Sequence, residues 1–73
     1  MSRDLHDLHG QAARTIVSYF VTQHRRLPTV AECDLIGDVT AEAHDRLYDP
    51  MSLKTALRAE RAQRVAGLPF DPD

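Results

Sequence analysis

The sequence predicts an all-α domain, a small bundle of three helices, or of four if the second is broken. Three observations predict it. Apolar residues recur at three- and four-residue steps through most of the chain, capping signals open two of the segments, and no stretch shows the two-residue alternation of a half-buried strand.

The first helix is expected over residues 4–25. Leu5, Leu8, Ala12, Ile16 and Phe20 form its apolar stripe, widened by Ala13, Val17 and Val21. Asp4 and Asp7 fall in the first turn, where carboxylates suit the positive end of the helix dipole. Gly10 costs about 1 kcal/mol relative to alanine inside a helix and should loosen the first two turns. Pro28 limits the other end, because the residue before a proline is pushed out of the α region.

The second helix is expected over residues 29–48. Thr29-Val30-Ala31-Glu32 is a capping box: the Thr hydroxyl can accept from the Glu32 N–H, and the Glu carboxylate can reach back. Beyond it two readings stay open. In one the helix is unbroken, with Cys33, Ile36, Val39 or Thr40, Ala43 and Leu47 on one face. In the other, Gly37 stops a short helix and Thr40 caps a new one ending at Tyr48.

Asp49-Pro50 opens the third helix, expected over residues 50–66, with Asp as the cap and Pro in the first turn. Leu53, Lys54, Ala56, Leu57, Arg58, Ala59, Ala62 and Val65 continue it, and Gly67 stands just past its end. Residues 1–67 then make a single helical domain. Residues 68–73 make an extended tail, whose Phe70 either docks on the body or meets a partner.

A chain of 73 residues is near the lower limit for folding alone. Its aromatic residues are Tyr19, Phe20, Tyr48 and Phe70, so the core is aliphatic and thin, and self-association into a homo-oligomer is expected. Cys33 is the lone cysteine, which excludes an internal disulfide and fits a reducing compartment; on the apolar stripe it reads as a small buried hydrophobe. No run approaches the roughly 20 apolar residues of a membrane span, and the N-terminus lacks a secretory apolar run. A cytoplasmic protein that does not enter the membrane is expected.

His6 and His9 lie one helical turn apart, but no full ligand set accompanies them, so they read as exposed polar residues and no metal or cofactor is expected. No phosphate loop, nucleophile elbow or catalytic triad pattern is visible. A domain of this size also has little room for an enclosed pocket. The chain is expected to bind a partner and not to be an enzyme.

Charge is divided along the chain. Residues 28–49 hold Glu32, Asp34, Asp38, Glu42, Asp45 and Asp49 against Arg46, a net of −5, whereas residues 50–67 hold Lys54, Arg58, Arg61 and Arg64 against Glu60, a net of +3. Asymmetry of this kind speaks about partners more than about fold.

The stretch from Tyr19-Phe20 through Arg25-Arg26-Leu27-Pro28-Thr29 to Glu32 resembles the opening of the helix-turn-helix region in LexA-type and related winged-helix regulators, and the resemblance covers about residues 19–48. It implies a turn at Gly37 to Val39, a recognition helix from Thr40 to Tyr48 lying in the major groove, and a DNA-binding transcription regulator. Asp38 departs from the pattern as an extra residue in the turn. The recognition helix would also carry Glu42, Asp45 and Asp49 against Arg46 alone, although phosphate contacts need cations. A second, weaker resemblance, carried by Ile16-Val17-Ser18, Val21, His24, Pro28, Glu32, Leu35-Ile36 and Asp38-Val39, is to the N-terminal part of MucR/Ros regulators. It implies association between chains through helices.

On these grounds a helix-turn-helix regulator, dimeric and bound to DNA, is the leading expectation. Arg25, Arg26, Lys54, Arg58, Arg61 and Arg64 would contact phosphates, and Thr40 and Arg46 would face the bases. The rival is an adaptor or inhibitor that grips an acidic or basic protein partner through its helices and touches no nucleic acid. On that reading the cations are a solvated face or pair with the acidic middle segment.

Overall fold

The structure is a computed structural model that describes residues 5–44 and 46–69, with side chains from residue 8 onward. Asp4, Asp45, Phe70 and the side chains of His6 and Asp7, which entered the expectations above, lie outside the described residues.

Three helices follow one another: α1, Leu5–His24; α2, Val30–Ala43; and α3, Pro50–Ala66. α1 runs through Gly10 and ends where Arg25 turns left-handed, at φ 58°, while its N–H still reaches Val21 O at 2.8 Å. α2 opens with both halves of the capping box. Glu32 N–H donates to Thr29 Oγ1 at 3.1 Å, and Thr29 N–H donates to Glu32 Oε1 at 2.8 Å. α3 opens as anticipated, with Asp49 accepting from the Ser52 N–H at 2.9 Å and Pro50 in the first turn.

Of the two readings of the middle segment, α2 follows the unbroken one through residues 37–40, but it stops at Ala43 rather than at Tyr48. The His44 N–H closes it on Thr40 O at 3.0 Å, and the Leu47 and Tyr48 N–H groups fold back onto His44 O. The described residues thus form a three-helix bundle, and among them no separate helix begins at Thr40.

α3 is the central element. It packs against both α1 and α2, whereas no Cα of α1 comes within 8 Å of a Cα of α2. Two contacts make α1 parallel to α3: Asp49 N–H to His9 Nε2, and Arg64 Nη2 to Ser18 Oγ. The pairs Asp34–Arg58 and Asp38–Lys54 make α2 antiparallel to it.

Each helix buries one row at four-residue steps: His9, Ala13 and Val17 on α1; Cys33, Gly37 and Ala41 on α2; Leu53, Leu57 and Arg61 on α3. Such rows are the ridges that interlock when helices pack. The α2 row is made of small residues, which brings α2 close to α3. A methyl group at Gly37 would fall 2.5 Å from Lys54 Cγ and 3.3 Å from both Lys54 Cα and Leu57 Cδ1. Gly37 is therefore a packing glycine, not a turn glycine. On the face expected inside, Ile36 is half-buried, as is Thr40 of the alternatives Val39 and Thr40, whereas Val39 and Ala43 are exposed, and Leu47, beyond the end of α2, is exposed too.

Candidate interaction surface

α2 carries its chemistry in parallel four-residue rows, because residues four apart stack along one face of a helix. Beside the buried row runs an acidic row, Asp34, Asp38 and Glu42. Outward of that runs an apolar row, Ala31, Leu35, Val39 and Ala43, all exposed. Leu35 is 63% and Val39 57% accessible. Leu47 and Met51, in and after the α2–α3 link, are exposed as well, at 47% and 68%. On the other flank of α2 an open groove of about 330 Å³ separates it from α1, lined by Leu8, Ala12, Ile16, Thr40, His44 and Tyr48.

The acidic row faces the cations of α3. Arg58 forms a bidentate pair with Asp34, Nε to Oδ1 at 2.8 Å and Nη2 to Oδ2 at 2.5 Å, and Lys54 Nζ lies 3.0 Å from Asp38 Oδ1. The Arg58 guanidinium holds the Asp34 carboxyl below the usual carboxylate range, and the Asp34 carboxylate in turn raises Arg58. Two acids of the middle segment are thus paired with two cations of α3 within the chain.

The remaining residues expected to touch nucleic acid are scattered. Arg61 is buried at 8% accessibility, with Nε donating to Pro28 O at 2.7 Å. It pins the α1–α2 link to α3 and is withdrawn from any surface arc. Arg64 pairs with Glu60 at 2.9 Å and donates to Ser18 Oγ at 2.7 Å. Arg26 makes a bidentate pair with Glu32 at 2.7 and 2.9 Å and lies over the Phe20 ring, 5.0 Å from its centroid. The Arg26 hydrogen bond, helped by the Thr29 N–H, pulls the Glu32 carboxyl down to about 2. Arg25 is exposed in its left-handed turn. Thr40 lies in the last turn of α2, and Arg46 is exposed in the following turn, so these two do not share a helix as a base-facing pair would require.

His9 departs furthest from expectation. It is buried at 1% accessibility, accepts the Asp49 N–H at Nε2 and stacks edge-on against Tyr48, with centroids 5.7 Å apart. Its place in the row His9, Ala13, Val17, four residues apart, was the available signal. Cys33 is buried as anticipated, and burial pushes its thiol upward. Among the described residues no group of three or more His, Cys, Asp or Glu side chains converges on a metal-sized site, and no helix is long and apolar enough to cross a membrane.

Set beside known proteins, the chain finds no counterpart: no family model matches it, and neither does any curated protein or solved structure.

Proposed function

We propose that this chain is a non-catalytic protein-binding module that presents the outer row of α2, centred on Leu35 and Val39, to a partner protein. The observation that carries this reading is the exposure of Leu35 and Val39, at 63% and 57%, on the outer row of α2, with Leu47 and Met51 exposed in and after the link that follows. Exposed apolar rows rimmed by charge mark interaction sites on small domains. The cations offer less support for a DNA-binding reading. Lys54, Arg58, Arg26 and Arg64 are ion-paired within the chain, and a phosphate would have to compete with each carboxylate already in place.

The test is a photo-crosslinking residue in place of Leu35 in cells that make the protein, with Thr22, exposed on α1, as the control position. Protein adducts are expected from position 35 and not from position 22. In parallel, mixed-sequence duplex DNA is titrated with the chain at low salt. Binding that falls steeply with salt and is lost in Lys54→Ala and Arg58→Ala, with no protein adduct at position 35, would overturn the reading in favour of a DNA-bound regulator.

A further inference from the structure

We infer that the occupant of the α2 outer row is a second copy of this chain, seated antiparallel so that Leu35 of one protomer meets Val39 of the other. This rests on the protein-binding reading and names its partner.

The first ground is shape. The row reads small, large, large, small: Ala31, Leu35, Val39, Ala43. Its midpoint is the level of Gly37, and about that midpoint it is a palindrome of size. Turned end over end it complements itself, with alanine against alanine at the ends and leucine against valine at the centre. A two-fold interface demands this self-complementarity of a single patch.

The second ground is charge. The ladder between α2 and α3 has rungs at Asp34–Arg58 and Asp38–Lys54. One more step of four on each helix brings Glu42 level with Pro50, which carries no charge, and no cation among the described residues pairs with Glu42. In the antiparallel seating, Glu42 of one protomer comes level with residue 32 of its partner, within a helical turn of Asp34 and on the same flank. Arg58 is there, and its Nη1, which neither bond to Asp34 uses, is the donor left for Glu42. The acidic rows of both protomers then lie along one edge of the interface. Asp34 and Asp38 are paired with Arg58 and Lys54, so the repulsion left along that edge is that of the two Glu42 carboxylates, which Arg58 of the facing protomer offsets. A thin aliphatic core supplies the need, since domains of this size commonly gain stability from a partner chain.

The full chain in sedimentation equilibrium is expected to show a species of twice its 8.2 kDa mass. Leu35→Glu and Val39→Lys should each run as a monomer with unchanged helical circular dichroism, since both positions are exposed. An equimolar mixture of these two variants should regain a dimer, because the new carboxylate of one faces the new ammonium of the other. Glu42→Lys, which leaves the apolar row intact, should raise the dimer dissociation constant severalfold. A wild-type chain that stays monomeric at every concentration overturns the inference. So does a dimer indifferent to Leu35→Glu and Val39→Lys, a mixture that stays monomeric, or an unchanged constant for Glu42→Lys. If the wild type is monomeric while position 35 crosslinks to a different protein, only this inference falls and the protein-binding reading stands. If position 35 crosslinks to nothing, both fall.

Discussion

His9 and Asp49 are forty residues apart in sequence, yet the Asp49 N–H donates to His9 Nε2 at 2.9 Å. The bond fastens the first turns of α1 to the residue that caps α3, and it holds the link after α2 in place between them. His9→Leu keeps the bulk and removes the acceptor. The Asp49 donor is part-buried, and a donor left unsatisfied costs at most about 1–3 kcal/mol, so a drop in the thermal midpoint is expected, larger than for an exposed histidine such as His24. Denaturation of the two variants side by side checks this.

Two glycines on successive helices should respond to alanine with opposite signs. Gly10 has open space where a methyl group would go, so Gly10→Ala should stabilise by about 0.5–1 kcal/mol through helix propensity. Gly37 would gain the same propensity, but the methyl group would run into the Lys54 stem and press on the Lys54 backbone and Leu57. Overpacking of this kind costs about 1–3 kcal/mol, which outweighs the propensity gain. Urea midpoints of Gly10→Ala above wild type and Gly37→Ala below it are the expected result.

Those glycines also show which parts of the fold were legible in the sequence. The helix starts were, because capping is local: Thr29 with Glu32, and Asp49 with Ser52, act within one turn of chain. Gly37 was not. By itself a glycine near a helical segment is as good a stop as a packing surface, and only the approach of α3 decides between them. The charges of α2 and α3 were visible, but that Asp34 meets Arg58 depends on an antiparallel register set by the small row Cys33, Gly37, Ala41. Arg61 and His9 were misplaced for one reason. Both are polar residues on buried four-residue rows, satisfied by backbone groups far away in sequence that no local pattern announces.

Arginines one turn apart on α3 should likewise separate. Arg61→Ala removes a buried stem and leaves the Pro28 carbonyl without its donor, so a loss of about 2–4 kcal/mol is expected. Arg58→Ala removes an exposed ion pair, and surface pairs contribute little to stability, so its unfolding midpoint should stay close to wild type. If Arg61 were instead a surface cation, both variants would melt alike.

Acid should loosen the start of α2. The Glu32 carboxyl is drawn from an ordinary value near 4.5 to about 2, first by Arg26 and then by the Thr29 N–H. A carboxyl depressed on folding contributes stability that is fully present above its unfolded value and is lost as the pH falls toward the folded one. Glu32→Gln should therefore be less stable than wild type at neutral pH by a constant margin. The gap should begin to close below about pH 4.5 and be lost as the pH falls through about 2. Thermal scans across that range read the difference directly.

Arg25 is the described non-glycine residue whose backbone turns left-handed, at φ 58°. For an L residue with a Cβ that conformation costs about 1–2 kcal/mol, and glycine is the residue most often found where a helix ends this way. Its N–H is spent on Val21 O, so the backbone conformation is held by the helix end rather than by the side chain. Arg25→Gly relieves the strain, and part of the gain is offset by the greater freedom of glycine in the unfolded chain, so a net rise of about 0.5–1 kcal/mol is expected. Arg25→Ala serves as the control. If the gain came from removing a positive charge next to Arg26, alanine would give it too. If it comes from φ, alanine keeps the strain and its midpoint stays at or below wild type while that of the glycine variant rises.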